Sequence, residues 1–271
     1  MLLIAISIYI AMGALSGFLA GLFGIGGGII LVPGFYYTLS WLYPEGTSLM
    51  HISLGTALAT IVGTGISSVR AHAVRGNVKV DILKRLVPGI VLGAACSAII
   101  ADSLESASLK TFFAFMIMGL AILMMIGPEK FRKASHYPSM LASNAAGVII
   151  GCLSGLLGIG GATLSVPYMS FFKTEIRAAV GTASALGLFI SLPAVIGFII
   201  TGWSEETGVP YMLGYVFWPA WLAVLPVGSL CAVYGARLAH GLDPKKLKRI
   251  FALFMVLIAV MMIVDEFFSP F

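Results

Sequence analysis

Two glycine clusters hold the backbone best suited to binding chemistry. Gly24, Gly26, Gly27 and Gly28 stand in the phrase GLFGIGGGIILVP, from Gly21 to Pro33. Gly158, Gly160 and Gly161 stand in GLLGIGGATLSVP, from Gly155 to Pro167, and the two phrases agree at eight of thirteen positions. Glycine takes positive φ and lets backbones approach closely, and the proline ending each phrase fits a helix start or a kink. A short helix beginning after such a cluster aims unpaired N–H groups and the positive end of its dipole at the break, which suits an anion. Neither cluster is followed by the Lys-Ser/Thr pair of a nucleotide-binding P-loop. Neutral donors stand near by: Thr56 and Thr182, each within a Gly-Thr-Ala triplet, with Ser184, Thr163 and Asn144. A lone Ser or Thr in a helix mostly bonds back to its own helix, and it is the repetition of the triplet that raises Thr56 and Thr182 above that default. Thr163 aligns with Ile29, so any site would be asymmetric.

The surroundings of these residues are apolar. Hydrophobic residues make up 59% of the 271-residue chain and charged ones 10%, against roughly a quarter charged in a soluble domain. Met1 to Pro44, Tyr137 to Phe172, Ala178 to Ser204 and Thr207 to Ala236 carry no Asp, Glu, Lys or Arg, and each exceeds the ~20 residues of a spanning helix. These features predict an all-α integral membrane protein. The first apolar run lacks a basic leader and continues into the glycine phrase, so it reads as a retained segment. The excess of Lys and Arg sits in short loops, where cytoplasmic retention explains it, and no nucleic-acid partner is expected. Cys96, Cys152 and Cys231 lie in apolar segments without CxxC spacing, which points to packing rather than a metal site or disulfides. Every Asp and Glu falls in a loop or at a segment end, so no midmembrane carboxylate is available for a cation or proton relay. No nucleophile is paired with a base, and neither an enzyme nor a cofactor is expected. Gly17 with Gly21, and Gly151 with Gly155, have the fourfold spacing of helix packing.

The chain is also a repeat. The glycine phrases lie 134 residues apart; LGTALA from Leu54 then matches VGTASA from Val180, Pro88 matches Pro226, and SLESASLKTFF from Ser103 matches GLDPKKLKRIF from Gly241. This predicts two transmembrane repeats, 1–134 and 135–271, forming one membrane domain. Arg70, Arg75, Lys79, Lys84 and Arg85 place one loop inside, as do Lys130, Arg132 and Lys133, Lys173 with Arg177, and Lys245 to Arg249. The acidic loop after Ala101 then lies outside while its counterpart after Ala239 lies inside, so the repeats are inverted and the C-terminus is outside. The 36 uncharged residues from Tyr137 to Phe172 would reach ~54 Å as one helix, against a hydrocarbon core of ~30 Å, so this stretch folds back at its glycine cluster. By symmetry Met1 to Pro44 does the same. The expectation is about ten membrane segments: six full spans and two glycine-broken helical hairpins.

The duplicated phrase, the Gly-Thr-Ala about thirty residues after it and the closing LxxxxLKxxF resemble the sulfite exporter TauE/SafE family of membrane permeases over nearly the whole chain. The resemblance implies transport of a small anion, typically sulfite or an organosulfonate such as sulfoacetate, across the cytoplasmic membrane. It brings no catalytic or metal residues. The second copy has Ala162 where the first has Gly28, so the two breaks need not bind alike. The partners expected are a small anionic solute and the lipid bilayer. A carrier in which the halves rock about a midplane site fits these features. A passive anion channel, or a scaffold or lipid-handling protein in which the glycines serve packing alone, are the alternatives.

Overall fold

The computed structural model describes residues 2–23, 27–126, 136–238 and 244–268. Among these residues there are ten helices and one two-stranded hairpin. The helices are α1 (Leu2–Phe23), α2 (Gly28–Leu42), α3 (Leu49–Ala73), α4 (Val80–Asp102), α5 (Ser106–Ile126), α6 (Met140–Leu156), α7 (Ala162–Phe171), α8 (Ile176–Thr201), α9 (Trp218–Leu238) and α10 (Pro244–Phe268). Strands β1 (Met212–Leu213) and β2 (Val216–Phe217) pair antiparallel just before α9. The chain is thus helical and multi-pass, with six helices long and apolar enough to cross a bilayer: α1, α3, α4, α5, α8 and α9.

Helix boundaries follow local chemistry. The chain leaves α1 and re-enters helix at Gly28, where Gly27 is left-handed at φ 76° and its carbonyl accepts from Ile30 and Leu31 N–H. The α6 terminus closes with Gly158 N–H donating to Gly155 O and Ile159 N–H to Ser154 O, with Gly158 at φ 58°. That is the six-to-one and five-to-two pair of a Schellman cap, which needs a residue free to take positive φ. The Ser139 hydroxyl caps α6 at its start by accepting from Ala142 N–H. Both glycine phrases therefore interrupt helix as expected. The two hairpins differ, however: α1 has 22 residues and is long enough to cross alone, whereas its counterpart α6 has 17. The β hairpin went unforeseen, because its four strand residues are too few to show alternation.

Packing sense is set by small residues. Gly13 lies against Val224 and Gly17 against Gly228, running α1 parallel to α9; Gly89 lies against Asn144 and Gly93 against Val148, running α4 parallel to α6. At Gly17 and Gly93 an added Cβ would collide with a carbonyl oxygen of the facing helix. In contrast α3 and α8 cross antiparallel, with Gly55 beside Phe198, Gly65 beside Leu188 and Ser68 beside Ser184. Helices α5 and α10 are antiparallel as well, since Lys110 near the start of α5 reaches Asp265 and Glu266 near the end of α10. These senses put Arg70, Arg75, Lys79, Lys84, Arg85, Lys173, Arg177 and Arg237 at one end of the bundle. Glu45, Asp102, Glu105, Glu205, Glu206, Asp265 and Glu266 gather at the other. The centre belongs to α3 and α8, the two most buried spans.

Candidate functional site

The two glycine breaks meet. A Cβ on Gly28 would run into the carbonyl oxygen of Gly158 and lie 2.8 Å from Ile159 Cα, so the first turn of α2 touches the turn that ends α6. At Gly27 a Cβ would lie 2.9 Å from Ser16 O, and at Gly161 it would lie 2.8 Å from Gly187 N and 2.9 Å from Ala183 O. Every neighbour in these contacts is backbone or a short buried side chain, so only hydrogen fits. Gly24 and Gly26 lie outside the described residues.

Beside the second break is a cavity of about 20 Å³, lined by Gly160, Gly161, Ser184 and Gly187 together with Thr64 and Ser68 of α3. A volume of that size holds about one water. Ser68 Oγ donates to Ser184 Oγ over 3.3 Å, Ser184 Oγ to Val180 O over 3.0 Å, and Thr64 Oγ1 to Thr60 O over 3.1 Å. Thr163 and Ser165, in the first turns of α7, and Ser154 near the end of α6 are buried, and their hydroxyls have no hydrogen-bond partner. Burying a hydroxyl unpaired costs about 1–3 kcal/mol.

The remaining expected residues stand elsewhere. Thr56 Oγ1 donates to Ile52 O at 2.6 Å and accepts from Phe217 N–H at 3.0 Å. Thr182 Oγ1 accepts from Lys79 N–H at 2.9 Å. Phe217 and Lys79 each immediately precede a helix, α9 and α4, so each threonine satisfies a donor at the helix start of the opposite half. The preceding glycines complete the fit: the Tyr215 carbonyl packs on Gly55 and the Asn77 carbonyl on Gly181, where Cβ atoms would collide. Asn144 accepts from Gly89 N–H at 3.0 Å and donates to Met140 O at 3.0 Å, clipping α6 to α4 beside Pro88. The structure thus gathers Gly27, Gly28, Gly158, Gly160, Gly161, Thr163 and Ser184 around the breaks, while the side chains of Thr56, Thr182 and Asn144 accept from backbone N–H groups of other elements.

Two groups escaped the sequence reading. Thr64 and Ser68 have no hydroxyl at the repeat-equivalent positions, but Thr56, Thr60, Thr64 and Ser68 fall four residues apart, a buried hydroxyl stripe legible from spacing. Lys110 is buried, bonds Asp265 at 2.6 Å and Glu266 at 2.9 Å, and lies 5.2 Å from the centre of the Tyr36 ring. Arg70 and Arg237 are exposed at the basic end, where snorkelling would hold them.

Over residues 9–262 the chain matches the family described as Sulfite exporter TauE/SafE. The chain belongs to that family. A probable membrane transporter protein of Haemophilus influenzae is 34% identical over 250 residues, covering 92% of this chain and 95% of that one. A second, from Methanocaldococcus jannaschii, is 27% identical across 91% of each chain. The probable membrane transporter protein YunE of Bacillus subtilis is 26% identical, covering 97% of this chain and 98% of its own. As a TauE/SafE protein the chain is a multi-pass membrane transporter and not an enzyme. The glycine phrases, the threonine contacts and the hydroxyl-lined cavity therefore belong to a machine that moves a solute.

Proposed function

We propose that this TauE/SafE protein is a secondary carrier that moves a small sulfur-containing anion, sulfite or an organosulfonate such as sulfoacetate, across the cytoplasmic membrane by alternating access. The observation that carries this reading is the meeting of two helix breaks beside a small cavity lined by glycines, Ala20 and Ile61, with the hydroxyl residues Thr64, Ser68 and Ser184. Amide N–H groups at the start of α7 and neutral hydroxyls suit an anion, and none of the cavity residues brings a competing carboxylate. The sulfite in the reading comes from the family's description.

In this proposal the halves, 1–134 and 135–271, are inverted repeats that rock about the breaks. The antiparallel crossings of α3 with α8 and of α5 with α10, equivalent helices in each case, support inversion. So does the exchange of partners, in which α1 packs on α9 and α6 on α4. The segregated charges support a cytoplasmic basic end and a C-terminus outside.

The test is thermal unfolding of the detergent-purified protein with sulfite, sulfate, thiosulfate, sulfoacetate, taurine or chloride. A ligand that binds only the folded state raises Tm, by ~2.7 kcal/mol of stabilisation at one hundred times its Kd. A shift with sulfite or one sulfonate, lost in Gly161→Val, is the expected result. No shift with any anion, together with no flux in proteoliposomes, would sink the reading. Single-channel currents in place of saturable exchange would replace the carrier by a channel.

A further inference from the structure

The Gly-Thr pairs of the two halves build matching contacts at opposite ends of the bundle. Near the acidic end, the loop tip before α9 lays the Tyr215 carbonyl on Gly55, and Phe217 N–H donates to Thr56 Oγ1 over 3.0 Å. Near the basic end, the loop before α4 lays the Asn77 carbonyl on Gly181, and Lys79 N–H donates to Thr182 Oγ1 over 2.9 Å. Both partners of the first contact recur in the second at the same repeat offset of 138 residues, Tyr215 with Asn77 and Phe217 with Lys79. Each contact joins one half to the other.

Their position relative to the cavity is also paired. Thr182 stands two residues from Ser184, a cavity residue, on its basic-end side. Thr56 stands two turns from Thr64 on the acidic-end side of the same cavity. The two contacts thus flank the cavity along α8 and α3, one toward each end of the bundle.

We propose that Thr56 and Thr182 are positioning residues of two gates, an outer gate closed by docking of the 212–217 hairpin on Gly55-Thr56 and an inner gate closed by docking of the 77–79 loop on Gly181-Thr182. Both loops are docked in this structure. The inference rests on the carrier reading for its path, although the contacts stand without it.

At the outer gate Tyr215 is buried, its ring stacks on His51 with centroids 5.1 Å apart, its hydroxyl donates to Asp102 over 2.9 Å, and its N–H donates to Phe198 O. Burial first, and then the Asp102 carboxylate, raise the Tyr215 phenol above its ordinary value. At the inner gate the loop docks through the Asn77 carbonyl and Cβ and the Lys79 N–H.

A cysteine reporter tests this. In full-length protein with Cys96, Cys152 and Cys231 replaced by alanine, Ile61→Cys places a thiol on the cavity wall. Proteoliposomes of each orientation are treated with a membrane-impermeant maleimide. Thr182→Val raises basic-end labelling by ~5-fold, the factor for one hydrogen bond of about 1 kcal/mol, and leaves acidic-end labelling unchanged. Thr56→Val does the reverse, and Thr→Ser at either site restores the reporter's rate. If a valine variant misfolds, Gly181→Ala and Tyr215→Phe serve as the inner and outer lesions. Equal acceleration from both ends, no acceleration, or failure of serine to rescue overturns the gates. Sulfite flux measured in the same vesicles reports on the carrier reading separately: end-specific labelling without flux of any anion would keep the gates and discard the cargo.

Discussion

Gly28→Ala is the sharpest perturbation of the meeting point. The alanine Cβ starts 2.8 Å from Ile159 Cα, whereas carbon–carbon contact needs ~3.5–4.0 Å, so the two breaks must part by about 1 Å. Overpacking of this kind costs ~1–3 kcal/mol. Alanine in a helix regains up to ~1 kcal/mol over glycine, and Gly28 is not among the positive-φ glycines. The net loss of about 0–3 kcal/mol leaves a folded protein. Binding suffers more, because a shift of about 1 Å carries an amide donor from ~2.9 Å to beyond the reach of a hydrogen bond. Each such bond to a charged ligand is worth ~1.5–3 kcal/mol, so the apparent affinity for the transported anion falls at least ~10-fold. The assay is concentration-dependent uptake in proteoliposomes, with helicity by circular dichroism as the fold control. Gly119→Ala in α5 is the matched comparison, since nothing lies within 4 Å of its added Cβ, and it leaves uptake unchanged. Wild-type affinity in Gly28→Ala, or equal losses in both variants, would refute a binding role for the meeting of the breaks.

Three further outcomes are expected. Ser68→Ala removes the Ser68–Ser184 bond and one cavity donor, and weakens apparent anion affinity ~5-fold with Tm nearly unchanged, read from uptake curves and a melt. Asn144→Ala orphans Gly89 N–H and lowers Tm by an amount equivalent to ~1–2 kcal/mol, while apparent affinity stays at the wild-type value. Lys110→Met leaves Asp265 and Glu266 without their cation; because both carboxylates are partly exposed the loss is ~1–2 kcal/mol, and added salt changes the variant's Tm less than the wild type's.

What the sequence revealed depended on whether a feature had to repeat. Spans, breaks and the glycine phrases are legible because the bilayer forces uninterrupted apolar runs and tolerates a turn only where backbone is covered. The Gly-Thr-Ala triplets were noticed for the same reason, yet the repetition itself does not say whether a hydroxyl faces a solute or a loop. The structure gives each threonine a backbone donor from the other half, a pairing that depends on how loops fold back and leaves no local signature. Thr64 and Ser68 escaped because comparison of the halves hides unmatched residues, though their spacing from Thr56 and Thr60 was in plain view. Lys110 lies 155 residues before Asp265, with Glu266 next to it, and only the antiparallel docking of α5 on α10 brings the lysine to the two acids.

The departures from symmetry bear on what the symmetric parts are for. Glycine contacts, loop docking and helix pairing are duplicated, as a molecule that presents the same hinge to each side requires. The hydroxyls near the breaks are not. Thr163, Ser165 and Ser154 align with Ile29, Leu31 and Ala20 of the first half, and it is the second break that borders the cavity through Gly160 and Gly161. Their unpaired hydroxyls oppose folding, and the first half carries apolar residues at the same positions. Exchanging the two sets tests this division of labour directly. A chain carrying Thr163→Ile with Ser165→Leu gains stability, read as a higher Tm, and loses anion affinity; the same chain transporting normally would return the hydroxyls to packing alone.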